Sequence, residues 1–561
     1  MSAPARAALA LAAPAFLAVA LLAWAPEARP ATEGFRVDNE TLVARCSRCH
    51  AVDDSGRMGR ISYMRKTPEG WQTSVRRMVS LHGVRLSAEH AREIVRYLSD
   101  HQGLAPEELE PGLYEVERRS DDQDYDGDDD VERTCIRCHS MGRVITQRRT
   151  KEEWGLLLAT HRALYPLVDF QAFRRPGPPP REPGPDGRPP DPRHPMDKAI
   201  DHLSSAFPLE TPAWSAWSAN MRAPRLAGTW MLTGHEPGRG PVYGTVTIAA
   251  DGSDPAAFTT DERLVWAESG QEVTRSGQAL VYTGYQWRGR SSPGADDELR
   301  EVMTVARDQQ SMEGRWFRGA YDELGPDVTL LRVGGGAVIA GVHPRAAERG
   351  GTVDVRIYGA GLPSSVTARD LDFGPGVRVA SASARGGIVS ARLEIDEDAA
   401  VGVRDLFAFG ASVQKALAVH DGIDRLEVTP ATGMARVGGA AFPKQLQVFD
   451  AVSWDDGPDG EPGNEDDVRL GRVPVTWSLE EYAATFGDDD IDFVGAMGQD
   501  GTFTPDVDGP NPERSGNRNN VGDVWVVATY GSGEGALRAR AHLLVTVPLY
   551  MRWEPWREIE R

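Results

Sequence analysis

Cysteine is scarce in this chain: four residues in 561. So small a number excludes a disulfide-stapled scaffold. Positive charge is also short, 62 Lys and Arg against 83 Asp and Glu, and the net charge is -21. A phosphate backbone needs a basic footprint, so nucleic acid is excluded as a partner. Long apolar runs are missing except for one near the N-terminus. No Gly-rich phosphate loop, nucleophile elbow or His-Glu-x-x-His occurs, and spacing singles out no Ser/His/Asp set. No catalytic side chain is visible. Hydrophobic residues at 40% exclude wholesale disorder. The 59 Gly and 39 Pro favour turn-rich β architecture. At about 150 residues per domain the length allows three or four domains.

The single apolar run, Ala7 to Ala25, follows one Arg and ends in Ala23-Trp24-Ala25, a small-x-small cleavage pattern. Residues 1–31 therefore read as a secretory signal peptide. An uncleaved anchor is the alternative, but Pro14 interrupts a run at the lower limit for spanning. The mature chain is expected to be exported, with no membrane span.

Helical periodicity occupies residues 32–223. Trp71 to Val79 is one helix, and Ser87-Ala88-Glu89 reads as a capping box opening another. The acidic connector 119–132 separates two halves, about 32–118 and 119–223. The Pro-rich stretch 174–195 reads as an extended surface loop. From residue 224 the period changes to two. Gly228–Thr233, Val242–Ile248, Ala279–Trp287, Thr352–Tyr358, Ala391–Ile395, Val524–Tyr530 and Ala541–Val547 read as strands. Many short, evenly spaced strands imply sandwiches or barrels, with boundaries near 224, 337 and 423.

All four cysteines lie in two copies of one motif, Cys46-Ser-Arg-Cys49-His50 and Cys135-Ile-Arg-Cys138-His139. Cys-x-x-Cys-His is the attachment signature of haem c. Two thiols one helical turn apart reach the two haem vinyl groups, and the adjacent His presents an imidazole to the iron. A redox Cys-x-x-Cys needs no such His, and zinc would leave both histidines coincidental. Two covalently bound haems c are therefore expected, with His50 and His139 as proximal iron ligands.

The motifs belong to a longer repeat. Met58-Gly59-Arg60-Ile61 matches Met141-Gly142-Arg143-Val144, and Thr67-Pro-Glu69-Gly-Trp71 matches Thr150-Lys-Glu152-Glu-Trp154 at the same separation. The haem motifs lie slightly further apart, so the first copy carries an insertion after its motif. Two turns beyond each Trp stand Met78 and His161, which makes them the candidate sixth iron ligands. His82 rivals Met78, and Met196 rivals His161. Methionine ligation raises a haem potential and a second imidazole lowers it, so the two haems should be unequal. Met58 and Met141 read as core residues. Trp71 and Trp154 are either core aromatics or indole donors to haem propionates. Arg60 and Arg143 are either propionate partners or solvated.

Two acidic tracts, 122–130 and 455–467, resemble calcium loops, but Arg133 stands where the closing Glu should be. A solvated linker and an acidic hairpin loop are the plainer readings.

Tandem haem motifs followed by β domains, with Val338-Ile-Ala-Gly-Val-His-Pro and Leu426-Glu-Val-Thr-Pro as opening strands, resemble the α subunit of quinohaemoprotein amine dehydrogenases. The resemblance spans essentially the mature chain. It implies a multidomain fold: an all-α tandem diheme cytochrome c domain (32–223), an antiparallel β-barrel (224–337) and two immunoglobulin-like β-sandwiches (338–422 and 423–561). It implies a periplasmic heterotrimer with a β-propeller β subunit and a small γ subunit bearing cysteine tryptophylquinone. It implies oxidation of primary amines to aldehyde and ammonia. This chain would relay the electrons to an external cytochrome c or cupredoxin. The competing readings are a diheme carrier for another exported dehydrogenase and a diheme peroxidase, which would need an open sixth site.

Overall fold

The structure is a computed structural model that describes residues 34–113, 125, 127–136, 139–173, 193–252, 254–294, 297–318, 324–439, 442–483 and 488–548. The expected signal segment 1–31, Cys138, half of the acidic connector and most of the Pro-rich loop lie outside these residues. Among the described residues no helix is long and apolar enough to cross a membrane.

A small helical region comes first: α1 (Glu40–Cys46), α2 (Pro68–His82), α3 (Ala88–His101), α4 (Pro106–Leu109), α5 (Asp129–Cys135), α6 (Gly142–Ile145), α7 (Lys151–Leu164), α8 (Val168–Gln171), α9 (Pro195–Ala206) and α10 (Pro212–Ala219). The internal repeat governs how it is built. Thr67 caps α2 by accepting from Gly70 N–H, and Thr150 caps α7 by accepting from Glu153 N–H. Just before these caps run two short strands, β1 (Met64–Lys66) and β2 (Gln147–Arg149), paired antiparallel. Arg65 lies opposite Arg148, and the sequence repeat makes these two residues equivalent. A local two-fold axis therefore passes between them and relates the two copies.

Two expectations need correction here. Ser87 does cap α3, accepting from His90 N–H at 3.1 Å, but no capping box forms because N3 is His90 and Glu89 sits at N2. The helix of the second haem motif starts inside the acidic connector. Asp128 caps α5 by accepting from Val131 N–H at 2.9 Å, so the end of the tract serves a helix N-terminus, where negative charge is favourable.

The rest of the chain is β. Strands β3 (Gly228–Glu236), β4 (Gly240–Ala250), β5 (Ala257–Trp266), β6 (Gln271–Tyr282), β7 (Gln286–Ser292), β8 (Leu299–Val305), β9 (Ser311–Arg318) and β10 (Asp327–Arg332) close an eight-stranded antiparallel barrel in sequence order. Trp230, Trp266, Trp287 and Trp316 fill its interior. The expected strand Ala279–Trp287 is divided between β6 and β7. Thr283 and Gly284 adopt φ of 57° and 75° there and turn the chain. Positive φ is costly for a β-branched residue. Thr283 is held by Asp100, which accepts from its N–H at 2.6 Å, and by Ser99 O, which accepts from its Oγ1 at 3.0 Å. Leu104 and Leu109 of the helical region join the barrel core.

Beyond the barrel, one four-stranded sheet containing Thr352–Ala360 and another containing Ala411–His420 share a single core around Ile357, Leu393, Leu406 and Leu417. The last part has three sheets, of three, four and three strands, around Phe449, Phe503, Val526 and Leu543. The acidic tract 455–467 links two antiparallel strands, Asp450–Asp455 and Val468–Arg472. Arg425 pairs with its Asp456 and Asp467.

Candidate haem centres

Each haem motif begins at the end of a short capped helix. In the first copy the Asn39 side chain accepts from Leu42 N–H at 2.7 Å. The chain then folds back at Cys46, whose carbonyl accepts from Cys49 N–H at 3.1 Å and His50 N–H at 2.9 Å. One turn thus gathers Cys46, Cys49 and His50. Cys46 packs against the cluster of Met58, Trp71, Val75 and Ile94, while Cys49 is exposed. Burial, aided by the nearby Cys49, raises the Cys46 pKa. In the second copy Cys135 ends α5 and packs against Met141 and Trp154. Burial pushes its thiol up to about 12. Burial therefore disfavours the thiolate form of both cysteines.

The histidines share one device. His50 Nδ1 lies 2.9 Å from Gly59 O, His139 Nδ1 2.9 Å from Ser140 O, and His161 Nδ1 2.9 Å from Leu157 O. A carbonyl can only accept, so each Nδ1 carries the proton and each Nε2 keeps its lone pair. Burial drives the His139 pKa down to about 4 and lowers that of His161. Both are neutral imidazoles, the form that binds a metal.

His139 and His161 face one another with ring centroids 6.4 Å apart. Two imidazoles each bound through nitrogen at about 2 Å to one metal ion would stand at roughly this spacing. Between and around them opens a cavity of about 830 Å³, bordered by Cys135, His139, Trp154, His161, Leu167 and Phe173. That size suits a large, mainly apolar cofactor. An attachment thiol, two opposed neutral imidazoles and aromatic walls fit a haem.

The rival ligands are placed elsewhere. Met196 is buried among Leu158, Val168 and Phe173 and does not border the cavity. His82 is exposed at the end of α2, whereas Met78 is half-buried. Met58 and Met141 are fully buried in the two helical cores. The indoles of Trp71 and Trp154 are already committed. Trp71 Nε1 donates to Gln102 O at 3.1 Å and Trp154 Nε1 to Phe207 O at 3.3 Å, the residues that end α3 and α9. Both tryptophans are core aromatics that tie the two closing helices in equivalent ways. Arg60 donates to Glu153 at 2.9 Å, and Arg143 borders the cavity.

Residue patterning missed several cavity-lining groups. Lys66 and Arg149 are buried and border the cavity together with Arg77. A signal was present: the basic pairs Arg65-Lys66 and Arg148-Arg149 precede the two equivalent Thr caps.

Comparison with known proteins yields four family models in chain order. Residues 37–177 match the haem-binding part of the quinohemoprotein amine dehydrogenase α subunit, 223–333 its domain II, 336–421 its domain III and 426–556 its domain IV. No curated protein matches. Among solved structures, a redesigned β-barrel is 15% identical, with 20% of this chain and 97% of that chain covered at a TM-score of 0.17. The protocadherin γB4 extracellular domain is 10% identical, with 56% and 61% covered at 0.16. The four models leave little of the chain unmatched, and the chain belongs to the family of quinohemoprotein amine dehydrogenase α subunits.

Proposed function

We propose that this chain is the electron-transfer subunit of a periplasmic amine dehydrogenase. It carries two haems c, on Cys46/Cys49/His50 and on Cys135/Cys138/His139, with Met78 and His161 as sixth ligands. Amine oxidation takes place on a cysteine tryptophylquinone of a small γ subunit, within an assembly that includes a β-propeller β subunit. The bound irons supply one-electron storage between that quinone and an external cytochrome c or cupredoxin. The two sheet domains after the barrel are read as immunoglobulin-like, with the divisions near residues 224, 337 and 423, and residues 1–31 as a cleaved signal.

One observation carries this reading. His139 and His161 are opposed, neutral, oriented through Nδ1, and share a cavity with an attachment thiol. The chain's residues do three things there. The carbonyls of Ser140 and Leu157 fix the imidazole tautomers and so fix which nitrogen faces the metal. The walls formed by Trp154, Leu158, Val168 and Phe173 give the cavity an apolar side. The unlike partners, Met78 in one copy and His161 in the other, set two different potentials. An iron held by both His139 and His161 would carry two imidazole donors, which would favour electron transfer over peroxide chemistry.

The test is to purify the chain from its native host. It should copurify with two smaller, unrelated chains, and primary amine should reduce its haems only in that complex. A complex that lacks a quinone-bearing chain, or haems that no amine reduces, would refute the proposal.

A further inference from the structure

Among the described residues, the cavity beside His139 is bordered by a cluster of basic side chains, two of them buried. Lys66 and Arg149 are 7% and 3% exposed, and Arg77 and Arg143 border the same space. Lys66 Nζ donates to the neutral Ser74 Oγ at 2.6 Å. Among the described residues, Glu153 is an acid that faces this cluster, 3.8 Å from Arg149 and bonded to Arg60 at 2.9 Å. Burial, and then the neighbouring Arg149, Arg77 and Arg60, depress the Lys66 pKa, and Glu153 opposes them. Buried like charges this close are costly unless anions join them.

Lys66 and Arg149 are equivalent residues of the two copies, brought together by the β1–β2 pairing. Each lies over the equivalent tryptophan, Lys66 Nζ 5.2 Å from the Trp71 ring and the Arg149 guanidinium 5.7 Å from that of Trp154. Such cation–π contacts hold the two side chains in place without spending their charge. Helix α2 adds a second contribution. Gly70, Ser74 and Arg77 lie along one face of it and border the cavity, while Trp71 and Val75 on its other face build the first copy's core. The first copy thus supplies a wall of the second copy's cofactor site.

We propose that Lys66, Arg77 and Arg149 form a carboxylate clamp at the seam between the repeats. It binds the propionates of the haem attached at His139 and holds that haem's potential up. This rests on the reading of Cys135 and His139 as a haem c site. Positive charge beside the porphyrin favours the reduced iron, which carries one positive charge fewer, and so partly offsets the lowering by a second imidazole. The three cations are positioning and tuning groups, not ligands.

The test uses the full holoprotein, with haem content measured first and potentials read by spectroelectrochemical titration. The bis-imidazole haem is followed by its near-infrared band. In Lys66→Gln and in the half-exposed Arg77→Gln, that haem should titrate at a lower potential and shift further than the other. Lys66→Arg, which keeps the charge, should restore it. If that haem stays at its wild-type potential in Lys66→Gln and Arg77→Gln, or Lys66→Arg behaves like Lys66→Gln, the clamp is refuted. If the wild type carries no haem on Cys135, the haem reading itself fails and the clamp with it. Should Lys66→Gln not fold, Arg77→Gln decides alone.

Discussion

At the scale of the residue, the account turns on two side chains at equivalent places in the repeat, Met78 and His161. His161 has its Nδ1 committed to Leu157 O and its ring centroid 6.4 Å from that of His139, so alanine there removes one imidazole donor. Met196, the rival, packs against Leu158, Val168 and Phe173 without bordering the cavity itself. His161→Ala should therefore turn one haem high-spin and leave the other low-spin, and Met78→Ala should do the converse. Optical and paramagnetic resonance spectra of the oxidised holoprotein check this. Two haems that stay low-spin in His161→Ala would contradict the assignment. The haem motifs were legible in the sequence because covalent attachment fixes residue types within one helical turn. Met78 and His161 were singled out only through the repeat, and the spectra of these variants decide between them and their rivals. Lys66 and Arg149 were not legible. A basic residue before a helix cap ordinarily projects into water, and the strand pairing that buries this pair joins residues far apart in the chain.

At the scale of the element, the β1–β2 ribbon holds the repeats together, and one carboxylate anchors it. Glu108 takes a double hydrogen bond from Arg65, at 2.7 and 2.8 Å, and lies 3.1 Å from Arg148. It also accepts from Ala105 N–H at 2.9 Å and from Thr211 Oγ1 at 2.8 Å. Burial alone would raise its pKa, but the bonds and charges of Arg65 and Arg148 prevail and bring it from 4.5 to about 2. Glu108→Gln leaves two buried guanidinium groups facing an amide and should cost about 3–5 kcal/mol of stability. The sign of the pH dependence follows from the depressed pKa. Glu108 contributes fully above pH 4.5, and its contribution fades as pH falls towards 2. Denaturant unfolding of wild type and Glu108→Gln should show a gap at neutral pH that narrows below pH 4.5. A gap independent of pH would show that the ion pair is not its source. Other features of the elements escaped the sequence for local reasons. Ala279–Trp287 is rich in apolar and aromatic residues and reads as one strand, yet Thr283 turns because Ser99 and Asp100 of α3 grip it. Helix α5 begins within a tract whose acidity masks its Asp128 cap.

At the scale of the whole molecule, the β part does more than follow the helical part. Leu104 and Leu109 seal into the barrel core. At the other end of the chain, Arg436, Thr546, Val547 and Pro548 border the cavity of His139 and His161. The last domain therefore forms part of that cavity's lining, which no reading of linear sequence could show. Val547 is 37% exposed, so Val547→Glu should change stability by no more than about 0.5 kcal/mol. Its negative charge should lower the potential of the haem in that cavity and spare the other. Equal shifts in both haems would place the charge elsewhere. The order of a helical part, a barrel and further β sheets was legible because hydrophobic period changes from 3.6 to two near residue 224.

The central claim is that two haems are covalently attached to this chain, and it can be counted. A pyridine haemochrome assay on the purified, acetone-extracted polypeptide should give two haems c per chain, falling to one in Cys135→Ala with the His50 site still filled. A wild-type count of one or none, or zinc in place of iron in the same sample, would contradict it.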